Sequence, residues 1–178
     1  MHKDSYHYSN NFKLLHWVIA LLAIGMLIGS FFLGDLPKAV KGTAYMLHKS
    51  TGILILFLML VRFVWVHVSG KPALPETVPA WQRFVSRLVQ YCLYLFLILM
   101  PLSGWIMAVA ANKAPKFYGL FKASLPWIPH DKSLAKLMNQ THEVIAWVLI
   151  VLVTIHVLAA LKHHLIDKDD VMQRMLFK

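Results

Sequence analysis

The chain has 178 residues, of which 58% are hydrophobic and 15% are charged, and its formal net charge is +10. Soluble domains contain about 45–50% apolar residues, so this composition excludes an ordinary soluble domain. The positive charge is spread over the segments between apolar runs rather than concentrated on a basic fold, and this distribution argues against nucleic-acid binding and favours a membrane surface.

Four apolar segments are long enough to cross a bilayer, which requires roughly 20 mostly apolar residues. They cover about residues 13–34, 45–67, 85–110 and 141–165. The first is too long for a signal peptide and no small-residue cleavage pattern follows it, so we expect it to remain in the mature protein. The pattern predicts an all-α integral membrane four-helix bundle, with residues 1–178 forming a single transmembrane domain.

Four spans place both termini on one side of the membrane and the connections 35–44 and 111–140 on the other. The 18 Lys and Arg residues divide almost evenly between the two sides, so charge alone leaves the orientation open. Met100-Pro101 and Gly104 predict a kink in the third span. The aromatic and basic stretch KFYGLFKASLPWIPH, residues 116–130, is expected to lie along the membrane interface as a short amphipathic piece. A short surface helix is expected over about 167–177.

Cys92 is the only cysteine. The chain therefore has no intramolecular disulfide and no C-x-x-C-H motif for covalent haem attachment. Any haem would be held without thioether bonds.

Ten histidines fall into two groups. Six lie in termini, loops or span ends, where a solvated or interfacial imidazole is ordinary; they are His2, His7, His67, His130, His163 and His164. Ionisable groups at membrane depth are rare and usually functional. The candidates are therefore the four histidines within the spans: His16, His48, His142 and His156.

His142 and His156 are 14 residues apart on the fourth span. At about 100° and 1.5 Å per residue, they project from one face about 21 Å apart. Chain direction puts His156 level with His16 and His142 level with His48. Each pair can supply two axial nitrogens from facing helices, which is the arrangement that bis-imidazole ligation of a b-type haem requires.

Two further features fit this interpretation. A small residue follows each of the four histidines by four positions, on the same helix face, where it would let a flat porphyrin approach. Arg62 lies 14 residues after His48, so we expect it near the His16/His156 level, either paired with a haem propionate or extended to the interface. The small residues are Ala20, Gly52, Ala146 and Ala160.

Over essentially its whole length the chain resembles the bacterial cytochrome b561 family of four-helix, di-haem inner-membrane cytochromes. LLHWVIALLAI resembles the first span of that family, YMLHKSTGILILFLMLVRFVW the second, and MPLSGWIM fits the third. NQTHEVIAWVLIVLVTIHVLAALKHHLIDKDDVMQRML resembles the fourth span and tail. The resemblance implies two non-covalent haem b groups, one held by His16 and His156 and the other by His48 and His142, with both termini in the cytoplasm.

The resemblance also implies a quinone-linked oxidoreductase that exchanges electrons with ubiquinone or a related quinone, with superoxide as a candidate donor. His163, His164 and Arg62 are candidate quinone residues. One alternative is a cytochrome b subunit that relays electrons for a larger dehydrogenase or a periplasmic redox protein. More remote alternatives are a non-haem metal transporter, which the 21 Å separation disfavours, and a purely structural membrane anchor.

Overall fold

A computed structural model of the chain describes residues 8–70 and 78–177; His2 and His7 lie outside them. Four long helices run antiparallel in chain order: α1 (Asn10–Ser30), α2 (Lys38–Ser69), α3 (Ala80–Ala110) and α4 (Lys132–Lys162). All four are long and apolar enough to cross a membrane, which confirms the predicted all-α transmembrane bundle. We call the end where α1 begins and α4 ends the terminal face, and the opposite end the loop face.

Three of the four helices extend clearly beyond the predicted spans at one end. Helix α2 begins seven residues before position 45, and α4 begins nine residues before position 141. A helix of 32 residues such as α2 is about 48 Å long, whereas the hydrocarbon core is about 30 Å thick. Polar residues therefore continue these helices into the interface. Asp131 stabilises the start of α4 because its carboxylate accepts from the backbone N–H of Leu134 at 2.8 Å.

The centre of the bundle is apolar. Ile19, Ile55 and Met59 form a buried cluster between α1, α2 and α3. On α4, Leu149 is 1% exposed and lies seven residues from both His142 and His156. An apolar layer therefore separates the two histidine levels.

The loop face carries a β-hairpin, which lies within the segment predicted to follow the membrane interface. Strands β1 (Lys116–Phe117) and β2 (Phe121–Lys122) pair antiparallel around Tyr118 and Gly119, both of which have positive φ. Two successive positive φ values are the requirement of a type I′ turn, which matches the twist of a hairpin. The hydroxyl of the fully buried Ser50 accepts from the Tyr118 N–H at 2.8 Å, so the hairpin is fixed to α2 two residues after His48.

The predicted surface helix over 167–177 is wrong. Helix α4 instead passes into a π-helical turn (His163–Asp167), and only Gln173–Met175 form a 3₁₀ turn. Lys168 has left-handed backbone geometry, and the Asp169 carboxylate accepts from the Val171 N–H, which competes with helical hydrogen bonding. The tail folds back onto α1, where Lys13 Nζ donates to Leu176 O at 2.9 Å and Trp17 Nε1 donates to Met175 O at 2.9 Å.

Candidate functional site

The four histidines within the helices form two facing pairs. His16 of α1 faces His156 of α4, with ring centroids 6.3 Å apart and ring planes at 69°. His48 of α2 faces His142 of α4, with centroids 6.3 Å apart and planes at 71°. All four side chains are half-buried. The structure thus brings together the same pairs that chain direction predicted, one in each half of the bundle.

The separation within each pair suits an iron between two imidazoles. An imidazole nitrogen lies about 1 Å from its ring centre and binds a metal ion at about 2 Å, so two axial imidazoles place their ring centres about 6 Å apart. Ring centroids at 6.3 Å also fall within the range of a plain edge-to-face contact. An edge-to-face contact alone does not require the same distance to occur at two separate levels.

Helix packing leaves room beside both pairs. The backbones lie close together between α3 and α4, between α2 and α3, and between α1 and α2. The imidazoles connect two other helix pairs, α1 with α4 and α2 with α4, whose backbones make almost no close contacts. A flat group inserted between facing histidines needs this wider spacing.

The four small residues all lie half-buried on their helices. At Gly52, an added Cβ would meet only Pro101 Cβ, at 3.9 Å, which is an ordinary contact. Protein atoms therefore do not force a glycine at position 52. That Ala20, Gly52, Ala146 and Ala160 admit a porphyrin ring stays a prediction.

Arg62 lies near the terminal face beside the His16/His156 pair, where its charge acts on both imidazoles. Its guanidinium carbon is 4.6 Å from the centre of the Phe12 ring, and Nε donates to Tyr94 Oη at 2.9 Å. Among the described residues its Nη1 is buried without a hydrogen-bond partner. The side chain therefore does not extend to the interface, and a buried donor of this kind fits the carboxylate of a haem propionate.

Tyr8 is not an anionic partner of Arg62. Its ring stacks on that of Phe12, with centroids 4.7 Å apart, and Phe12 in turn contacts the guanidinium. Burial raises the pKa of Tyr8 above its usual value of 10, an effect that the positive charge of Arg62 opposes only in part. Tyr8 consequently remains neutral near pH 7 and does not compensate the guanidinium charge.

The sequence did not single out the residues around His142. Its Nδ1 lies 3.0 Å from the Met100 carbonyl oxygen and 3.1 Å from Ser103 Oγ. A Cβ at Gly104 would lie only 2.9 Å from His142 Cε1. The stretch MPLSG predicts a kink and fits the third span of the family, but nothing in the sequence shows that α3 faces α4 there.

The candidate quinone residues do not gather at one point. His163 is half-buried, and its Nδ1 lies 2.6 Å from Asp169 Oδ2 and 3.4 Å from Asp167 Oδ2. His164 is exposed, and Arg62 is held by Phe12 and Tyr94. His163 and the two aspartates border a cavity of about 280 Å³ near the terminal face.

Paired imidazoles at two levels, together with an arginine whose Nη1 is buried without a hydrogen-bond partner among the described residues, fit a haem-binding membrane protein. Comparison with known proteins agrees, since the family described as Prokaryotic cytochrome b561 matches residues 7–178. The chain belongs to the prokaryotic cytochrome b561 family.

Three relatives match nearly the full length. Cytochrome b561 homolog 2 of Escherichia coli (strain K12) is 32% identical, over 92% of this chain and 87% of the relative. Cytochrome b561 homolog 1 of the same strain is 30% identical, over 91% of this chain and 92% of the relative. A Yersinia pestis protein named Probable superoxide oxidase CybB is 27% identical, with 92% of each chain covered.

Membership confirms the predicted family and, with the four apolar helices, a multi-pass bacterial membrane protein. A cytochrome b561 binds b-type haem and transfers electrons across the membrane. The donor set of this chain fits such a group, because neutral imidazoles are available as axial ligands and a buried guanidinium as a propionate partner.

Proposed function

We propose that this cytochrome b561 carries electrons across the bacterial inner membrane through two b-type haems and exchanges them with the quinone pool. The observation that carries the proposal is the repeated 6.3 Å spacing of His16 with His156 and of His48 with His142. When bound, each haem supplies one reversible one-electron centre. Two histidines would hold each haem, so the sites would relay electrons and would not bind oxygen.

The protein residues set the environment of each centre. His142 and His156, about 21 Å apart on one helix, hold one centre in each half of the bilayer. Leu149 and the central cluster keep water out of the layer between them. Arg62 would hold a propionate of the group bound by His16 and His156. The small residues one turn after the histidines would leave room for the rings; they are Ala20, Gly52, Ala146 and Ala160.

Quinone reduction requires two electrons and two protons at a site open to the bilayer. We assign this exchange to the terminal face, which we infer to be cytoplasmic. His163 and His164 are the candidate proton carriers, His163 because it borders the cavity near this face and is hydrogen-bonded to Asp169. Arg62, the third candidate residue, lies beside the His16/His156 pair.

The opposite, loop face suits an anionic donor such as superoxide. Lys49 follows His48 directly, and its Nζ donates to the Lys113 backbone carbonyl at 3.0 Å. The charge of Lys113 acts on the Lys49 ammonium group, so this end of the His48/His142 pair is positively charged. A local excess of positive charge increases the association rate of small anions. The name of the Yersinia pestis relative points to the same substrate.

A second candidate function is a cytochrome b subunit that relays electrons for a larger dehydrogenase or a periplasmic redox protein. Membership of the cytochrome b561 family is compatible with this second function as well. A non-haem metal transporter is disfavoured because metal ligands would converge, whereas the four histidines form two separate pairs. In the part of the chain that the structure describes, the only three-ligand cluster is His163, Asp167 and Asp169, which contains none of them.

The test is a reduced-minus-oxidised absorption spectrum and a haem count on the purified single chain in lipid nanodiscs. We expect a b-type α-band, two haems per chain, and oxidation of the reduced chain by added ubiquinone. A count below two contradicts the di-haem assignment. A stable two-haem chain that does not react with quinone favours the relay subunit instead.

A further inference from the structure

Helix α3 contributes no histidine to either pair, yet it makes the closest polar contacts of His142. The Met100 carbonyl and the Ser103 hydroxyl both lie within hydrogen-bond distance of His142 Nδ1. Ser103 is 5% exposed, and its hydroxyl also donates to the Met100 carbonyl at 2.7 Å. The three groups form a closed arrangement away from water.

This arrangement determines where the proton of the imidazole resides. A carbonyl oxygen only accepts hydrogen bonds, so His142 Nδ1 carries the proton and donates it to Met100 O. The Ser103 oxygen is a second acceptor for the same N–H. His142 Nε2 is then unprotonated and free to bind a metal, before any haem is present.

Gly104 fits the ring against the helix. A Cβ at this position would lie 2.9 Å from His142 Cε1 and 3.1 Å from Nδ1. A distance below 3.0 Å requires the ring or the backbone to move. The ring cannot move away easily, because Met100 and Ser103, which lie on the same helix as Gly104, hydrogen-bond to it. The absence of a side chain at position 104 is thus required by the observed position of His142.

The other three imidazoles differ. Within residues 8–70 and 78–177, neither ring nitrogen of His16, His48 or His156 has a hydrogen-bond partner. Among the four candidate ligands, His142 is therefore the one whose tautomer and orientation are fixed by contacts with described residues. The two centres therefore differ, because one of them has a ligand that is oriented by hydrogen bonds.

We propose that Ser103 and Gly104 are positioning residues that orient His142 and lower the reduction potential of the centre it shares with His48. The inference rests on the proposed ligation by His142. A ligating histidine that donates its other N–H is more basic, which stabilises the ferric over the ferrous state. Axial basicity and hydrogen bonding are among the determinants of haem potential.

The first test replaces Gly104. In Gly104→Ala we expect the haem held by His48 and His142 to be lost, because its retention is at least tenfold weaker. The haem held by His16 and His156 should stay, which shows that the bundle is intact. Gly29→Ala is the matched control, because a Cβ there meets nothing within 4 Å and alanine is the better helix former at both positions. A Gly104→Ala chain that retains both haems as firmly as Gly29→Ala overturns the role of Gly104.

The second test measures the potential and does not depend on haem loss. In a His156→Ala background that retains only the His48/His142 centre, Ser103→Ala removes one acceptor of the His142 N–H. We expect the ferric-to-ferrous equilibrium to shift about tenfold toward ferrous, a rise of about 59 mV for a one-electron couple. Ser103→Thr keeps the hydroxyl and should restore the original potential.

An unchanged or lowered potential in Ser103→Ala, or a Thr variant that behaves like Ala, overturns the role of Ser103. Failure of the proposed ligation gives a different result. A His142→Ala chain that retains two haems contradicts the ligand assignment itself, whereas loss of one haem in that variant with no effect of Ser103 or Gly104 contradicts only the positioning role.

Discussion

The guanidinium of Arg62 lies over the ring of Phe12, 4.6 Å from its centre, while Nη1 of the same side chain is buried without a partner among the described residues. The aromatic contact orients the charge without neutralising it. A carboxylate brought by a haem is the natural complement.

Removing this charge should destabilise the ferrous state of the nearer centre. In Arg62→Gln we expect the potential of the His16/His156 haem to fall by about 59 mV, equivalent to tenfold, while the other potential is unchanged. Redox titration followed at the α-band measures both. Arg87→Gln, at an exposed arginine of α3, is the control and should leave both potentials in place. Equal shifts of both haems in Arg62→Gln would argue against a local role.

The lysines of the loop face should accelerate reduction by superoxide. In a Lys49→Gln, Lys113→Gln double variant we expect the second-order rate of haem reduction to fall about tenfold at low salt, because electrostatic attraction of the anion is lost. The difference should shrink as ionic strength rises. Stopped-flow mixing with superoxide measures the rate, and a variant as fast as the parent at low salt would refute anion attraction at this face.

His163 should matter for quinone and not for haem. In His163→Gln we expect the rate of oxidation of the reduced chain by ubiquinone to fall about 10²-fold, because a positioned proton carrier typically contributes 10²–10⁴. Haem content and both potentials should stay unchanged. His67→Gln is the control, since it replaces another histidine near the terminal face, whose Nδ1 is 2.8 Å from the Phe63 carbonyl. Ubiquinone should oxidise the reduced His67→Gln chain at the parent rate. Equal rates in the two variants would remove His163 from the proton path.

Most of the fold and the histidine pairing could be predicted from the sequence. Long apolar runs predict helices because the bilayer offers no other partner for backbone N–H and C=O groups. The 14-residue spacing of His142 and His156 puts both side chains on one face of a helix, and the observed pairs follow from this. The starts of α2, α3 and α4 were placed too late because hydropathy reports the hydrocarbon core and not the interfacial turns.

Features that depend on tertiary contact could not be predicted. The hairpin at Tyr118 and Gly119 is stabilised by Ser50, which is 68 residues away from Tyr118. The tail leaves the helical path because Asp169 turns back toward His163. Likewise, the Met100 carbonyl and Gly104 acquire a role only when α3 packs against His142. Side-chain contacts of this kind leave no periodic signal in the sequence.

The haem content of single histidine variants tests the central claim most directly. His156→Ala and His142→Ala should each retain one haem of two, and the double variant none, while His67→Ala should retain both. Pyridine haemochrome quantification per mole of purified chain gives the count. Two haems in either single variant, or loss of a haem in His67→Ala, would contradict the assignment of His16 with His156 and His48 with His142 as the two ligand pairs.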